Sequence, residues 1–487
     1  MDAANSINSI FHSIFTEPFE FPEISFPPEI DDVTVKDAEE FLSRINTSKS
    51  YMNDGIPPIL YKASSRVLAK PLSQIVSFCL KKGCFPSEWK KTEVIPIPKS
   101  KIITSSNLRP ISLRSCLSLM LEQEILNRIK AYIDPLIVNN QFGFRKKAST
   151  VMAVIKILNT TTIYAENEKI SGVSIVSFDL RKAFDTVSHE ILYHKLANIL
   201  PPRLLSLLCS YLQSRLQHTC LNGVKSTYLP VTSGVPQGGN ISPLLFIHFI
   251  NDLNAPSGSE IVKFADDTTF IVPHYKNREA DPITSVIVRM KSWCENNKIH
   301  LNLQKTQIVT VKKMNSLLNF VAPRQDFITI LGVTISDKLK WDKHVEKIIK
   351  KTSSNLFLLR KAKNVLNREN LIKIYYGLFD SIFNYCSPAF VGLNQHLSSR
   401  LQKQYNRAHN IICNGKCYKN CIPSPTERRL QASLKLLVDI LSPNHILHEI
   451  APNLLQRSKH LMIQATTRRS SQFIPFTSLY YNKKLFC

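Results

Sequence analysis

Glycine is scarce in this chain, 13 of 487 residues, well under the usual ~7%. That excludes a collagen-like or glycine-rich low-complexity protein, and it raises the chance that each remaining glycine meets a backbone need. Acids are also few, with 37 Asp and Glu against 62 Lys and Arg for a net charge of +25. Long apolar runs are missing. Leu244 to Ile250 is short and broken by His248, far from the ~20 residues of a membrane-spanning helix, and no basic-then-apolar leader opens the chain. The eleven cysteines are odd in number and keep no framework spacing, which fits reduced thiols inside a cell. No tandem repeat or low-complexity tract is visible. The expectation is therefore an intracellular chain of cytoplasm and nucleus, without a membrane partner. With 44% hydrophobic residues it can bury a large core and form more than one domain. Its basic balance suits a polyanionic partner through counterion release, but charge alone does not separate an enzyme from a ribosomal or chromatin protein.

Against that scarcity of acid, two carboxylates stand side by side. Phe264-Ala265-Asp266-Asp267 lies between the apolar runs Ile261-Val262 and Phe270-Ile271-Val272, a pattern that predicts strand, tight turn, strand. Adjacent like charges repel on a solvated turn, and a divalent cation reverses the sign of that cost. Upstream, Val173 to Leu180 is apolar and rich in β-branched residues, as a buried strand should be, and Asp179 near its end is costly unless hydrogen-bonded or metal-bound. Arg181 to Leu196, with Phe184, Val187, Ile191 and Leu196 near helical spacing, predicts an amphipathic helix. Three glycines fall in Ser233-Gly234-Val235-Pro236-Gln237-Gly238-Gly239-Asn240-Ile241-Ser242-Pro243. Such a loop permits close backbone approach to a ligand, and Gln237 offers amide groups to a base or sugar.

These motifs resemble the reverse transcriptase of non-LTR (LINE-type) retrotransposons, nearest to the jockey-like group. The resemblance runs from about residue 50 to about residue 400, in the family's order. Asp54-Gly55-Ile56-Pro57 opens it. Val94 to Lys99, Asn107 to Leu113 and Asn140-Gln141-Phe142-Gly143-Phe144-Arg145 follow. Then come Phe178 to Val187, the Val235 to Gly238 loop, Phe264 to Asp267, Leu301 to Thr306 and Leu331-Gly332-Val333.

The resemblance implies an α+β right-hand polymerase with fingers, an antiparallel palm sheet and a helical thumb. It implies copying of RNA into DNA by two-metal nucleotidyl transfer, with an RNA template, a DNA primer and dNTPs as partners. Asp179, Asp266 and Asp267 would be the catalytic acids and would hold two Mg²⁺ ions, Mn²⁺ being the alternative. Lys99 and Arg109 would grip the triphosphate, and Gln237, Gly238 and Lys305 would also meet the nucleotide. Phe184 would crowd a ribose 2′-OH, or serve as a core aromatic, or both. Lys305 would reach pyrophosphate, or sit on a solvated turn. Asp185 is expected to be structural. The chain departs from the pattern at Leu108, Met120 and Gly239, none of them a metal ligand.

The expected domains are a leader or linker over 1–45, fingers and palm over 46–335, a helical thumb over 336–430 and a basic C-terminal extension over 431–487. From Leu401 onward there are 13 Lys and Arg against three Asp and Glu, and Lys338, Lys340, Lys343, Lys347, Lys350 and Lys351 precede them on an expected thumb helix, either to meet template phosphates or as a solvated face. Beyond Leu430 only Asp439 and Glu449 are acidic, which argues against an RNase H domain; the chain reads as the polymerase section of a longer element. Cys413, Cys417 and Cys421, with His409, have an atypical spacing for zinc and are expected to be free thiols. The competing readings are a catalytically decayed nucleic-acid-binding remnant and another palm polymerase such as an intron maturase.

Overall fold

Proline decides where one ladder stops. In the computed structural model, Lys91–Pro98 pairs antiparallel with Leu108–Leu113 and parallel with Arg215–Leu221. The parallel ladder ends at Val94 opposite Thr219, short of Pro96, while Pro96 faces Pro110 across the antiparallel pair. A proline has no N–H to give a ladder, so the two fall where none is needed. The structure describes residues 1–26, 32–48, 54–99, 108–276, 281–311, 325–413 and 422–450. They form two units, each assembled from separated stretches.

The first unit combines Met1–Val138, Leu180–Asn254 and Arg289–Asn302. Its sheet is completed by Val224–Lys225 and Leu229–Val231, both antiparallel to Arg215–Leu221. Around it lie the helices Ser65–Lys82, Ser118–Ile133 and Pro202–Leu212, which bury Val76, Leu80, Ile125, Ile129 and Leu208. Each such side chain contributes about 1.5–3 kcal/mol of transfer free energy. The segment expected as a leader holds a helix, Asp2–His12, with Asn8 and Phe11 buried. Asn8 donates from Nδ2 to Thr227 O at 2.9 Å and accepts at Oδ1 from Gln217 and Thr219, each at 3.3 Å.

The helix expected over 181–196 is shorter than its periodicity suggested: it runs His189–Ala197, capped by Ser188. Residues 181–188 are a turn in which Lys182 has a φ of 46°. The carbonyls that would continue a helix are taken from outside, since Val235 N donates to Phe184 O and Gly234 N to Val187 O, each at 2.8 Å. Gly234 is needed for this: a Cβ there would lie 2.7 Å from the Asp185 carbonyl oxygen.

The second unit combines Asn139–Asp179, Ala255–Val288 and Leu303–Cys487. Its four-stranded sheet has the order Glu260–Phe264, Asp267–Tyr275, Ile170–Leu180, Leu301–Val311. The central Asp267–Tyr275 strand runs antiparallel to both of its neighbours. One face is covered by the helix Thr150–Glu166, and Val154, Ile157, Val173, Ile175, Ile271 and Val309 share one buried cluster. The helices Asp342–Lys363, Arg368–Tyr375 and Gln395–Cys413 close a second core around Val345, Leu359, Tyr375, Phe379 and Leu401. Lys343, Lys347, Lys350 and Lys351 are exposed along the first of them. The α+β class with an antiparallel sheet is thus as the sequence suggests; the mixed sheet of the first unit was not foreseen.

Candidate functional site

The acids meet at one end of the second unit's sheet. Phe264 pairs with Asp267 across the hairpin, and Phe178 pairs with Thr268 on the other side. Asp179, the next residue after Phe178, therefore comes beside the Asp266-Asp267 turn. Below them Phe178 and Phe270 pack edge to face at 5.6 Å, both buried. At the bend Ala265 has a φ of 55°, a left-handed conformation that costs an L-residue about 1–2 kcal/mol.

Crowding shows in the electrostatics. Asp267 keeps an exposed side chain, yet loss of solvation raises its carboxyl to about 6, and the charges of Asp266 and Asp179 push it the same way. Lys305 Nζ lies 3.6 Å from Asp179 Oδ2, with 68% of the Lys305 side chain and 40% of the Asp179 side chain exposed. Lys305 sits on the strand Leu301–Val311 rather than on a turn. Among the described residues no three Asp, Glu, His or Cys side chains are gathered closely enough to cage an ion as they stand. The donor chemistry still fits a hard divalent cation. Mg²⁺ takes one or two carboxylates and fills its remaining positions with water and substrate phosphate oxygens, and a cation would relieve the mutual repulsion that raises Asp267.

The remaining candidate residues lie in the first unit. Lys99 and Arg109 are exposed at the hairpin formed by Lys91–Pro98 and Leu108–Leu113. Phe184 is half-buried, stacked on Phe246 with ring centroids 4.3 Å apart. Gln237 Nε2 donates to Asp185 Oδ1 at 2.7 Å, and Gln237 O accepts from Ser112 N at 3.1 Å. Asp185 is buried, and burial lifts its carboxyl to about 6 against the lowering effects of Gln237, Lys182 and Lys99. It is a structural acid that orients Gln237.

Sequence reasoning missed the group that holds this loop. Arg114 and Glu122 are buried ion-pair partners, with 3% and 1% of their side chains exposed. Arg114 Nη1 donates to Glu122 Oε1 and its Nη2 donates to Gly238 O. The second Glu122 oxygen, Oε2, accepts from Asn240 N at 2.9 Å. Burial lowers Arg215, whose charge Tyr211 and Glu122 offset in part. An eight-residue separation between a strand end and a helix carries no sequence signature, although charged residues among apolar ones in Ser118–Ile133 were a visible hint. Cys413 and His409 lie one helical turn apart, with Sγ 3.6 Å from Nε2; Cys417 and Cys421 lie outside the described residues.

Residues 97–335 match the family model described as reverse transcriptase (RNA-dependent DNA polymerase), so the chain carries a reverse transcriptase domain. The relatives it resembles are named as RNA-directed DNA polymerases of mobile elements. It is 26% identical over 350 residues to the RNA-directed DNA polymerase from mobile element jockey of Drosophila melanogaster, covering 67% of this chain and 37% of that protein. It is likewise 26% identical over 397 residues to the probable RNA-directed DNA polymerase from transposon X-element of the same species, covering 77% and 43%. The chain thus spans less than half the length of these relatives. Among solved structures, telomerase from Candida tropicalis in complex with a fragment of telomeric RNA aligns with a TM-score of 0.39 at 12% identity, over 80% of this chain and 67% of that one. No helix among the described residues is long and apolar enough to cross a membrane.

Proposed function

We propose that this chain is an RNA-directed DNA polymerase of the non-LTR retrotransposon type, copying an RNA template from a DNA primer with dNTPs. The observation that carries the reading is the meeting of Asp179, Asp266 and Asp267 at one sheet end within a reverse transcriptase domain. Asp179 and Asp266 are the principal ligands for Mg²⁺ or Mn²⁺, with Asp267 beside them. Bound there, the ions would supply Lewis acidity to the primer hydroxyl and to the leaving pyrophosphate.

The protein's own groups do the rest. The carboxylates fix where the cations and phosphate oxygens can sit. Lys305, near Asp179, offers a proton and positive charge to departing pyrophosphate. Lys99 and Arg109 hold the triphosphate, Arg109 with a planar fork suited to two phosphate oxygens. The half-buried Phe184 ring excludes a ribose 2′-OH, and Gln237 with Gly238 meets the nucleotide. The exposed lysines of Asp342–Lys363 attract the template–primer backbone.

Primer extension on poly(rA)/oligo(dT) with Mg²⁺ tests this. The expected result is dTMP incorporation by the wild-type chain and none by Asp266→Asn. Nucleic-acid binding with no metal-dependent incorporation by the wild-type chain would instead establish a decayed remnant.

A further inference from the structure

The Ala265 peptide N–H, at the bend of the acid hairpin, is bonded from outside that hairpin. It donates to Gln141 Oε1 at 3.1 Å, and the same oxygen accepts from Gly143 N at 2.9 Å. Two N–H donors converging on one atom identify it as the amide oxygen, not the nitrogen. Gln141 is fully buried. Its backbone is fixed against the strand that leads into the acids: Phe142 N donates to Lys263 O and Lys263 N donates to Asn140 O, each at 2.8 Å. The approach is so close that a Cβ on Gly143 would lie 2.3 Å from Ala265 N.

We propose that Gln141 is a positioning residue, whose side-chain oxygen holds the left-handed Ala265 peptide and thereby fixes where Asp266 and Asp267 present their carboxylates. An amide suits this place better than an acid would. It accepts both N–H bonds and adds no fourth negative charge beside Asp179, Asp266 and Asp267, whose repulsion is already felt at Asp267. The inference rests on the polymerase reading for its consequence, but the bond itself does not depend on that reading.

The test compares Gln141→Met, nearly the same volume without an acceptor, with Gln141→Glu, which restores one. Amide hydrogen exchange is followed at 264–267, Mn²⁺ binding by calorimetry, and primer extension alongside. Gln141→Met should lose about tenfold of the protection at Ala265 and weaken Mn²⁺ binding about fivefold, with template–primer affinity unchanged. Gln141→Glu should recover the protection. If Gln141→Met keeps wild-type protection, or if both variants lose it equally while the thermal midpoint is unchanged, the proposal is overturned. Should Gln141→Met fail to fold, Gly143→Ala disturbs the same peptide by steric pressure and must show the same loss of protection and of Mn²⁺ binding, or the proposal falls. Failure of the polymerase reading would appear separately, as a wild-type chain that does not extend a primer whatever the exchange at Ala265.

Discussion

The two units each hold a group of carboxylates, and they treat them in opposite ways. In the first unit Glu122 and Asp185 are buried and each is held by named donors: Arg114 and the Asn240 amide serve both oxygens of the one, and Gln237 serves Oδ1 of the other. In the second unit Asp179, Asp266 and Asp267 are left partly open and press on one another, with Lys305 at 3.6 Å from Asp179. Buried and paired acids fix a loop in place. Open and crowded acids hold electrostatic free energy that a bound cation releases. The same residue type is a scaffold in the first unit and, in the proposed function, a ligand in the second.

The largest test of this contrast is Asp266→Asn, which should lower extension roughly a thousandfold or more, because transition-state charge stabilisation is lost. Template affinity in a filter-binding assay should stay within about twofold; a parallel loss of both would make the open acids structural as well. Next, Arg114→Met leaves Glu122 buried without its cation and should cost about 3–4 kcal/mol by chemical denaturation. A cost below ~1 kcal/mol would mean that the buried pair is not the scaffold described.

Asp185 gives a smaller effect with a defined pH window. Its carboxyl is raised to about 6 from an ordinary 3.8, so the folded state is penalised when the group ionises. The penalty grows as pH rises from 3.8 through 6 and is absent below that range. Asp185→Asn, which keeps a partner for Gln237 if that amide turns over, should therefore be more stable than the wild type at pH 7, by no more than about 3 kcal/mol. The gain should fade by pH 4. A difference that is constant across this range would place the effect elsewhere. Smallest is Phe184→Val, which should raise the ratio of rNTP to dNTP kcat/KM about tenfold. An unchanged ratio would leave Phe184 with its packing on Phe246 alone.

Much of the second unit was legible in the chain. The run Val173 to Phe178 is apolar enough to be a central strand, and paired aspartates between two apolar runs mark a hairpin, although by themselves they would also fit a solvated turn. The first unit was harder. The expected helix from Arg181 has its carbonyls captured by Gly234 and Val235, residues some 50 positions on, and no local periodicity reports that. Arg114 and Glu122 were opaque because a buried charge looks like a solvated one until its partner is placed. Gln141 stood in a recognised motif, but its task became visible only when the peptide it holds was beside it. The helix Asp2–His12 escaped notice because its buried face carries an asparagine, which breaks the apolar pattern.

That asparagine also sets an order of events. The partners of Asn8 lie 209 to 219 positions further along the chain. At a synthesis rate of about 5–20 residues per second, roughly 10–40 s pass before the ribosome has made them. Through that interval the polar partners of the first helix are missing, and a helix this short is marginal alone in water. The beginning of the chain is therefore among the last parts of its unit to settle, and the time it waits is set by translation rather than by the folding of its own residues.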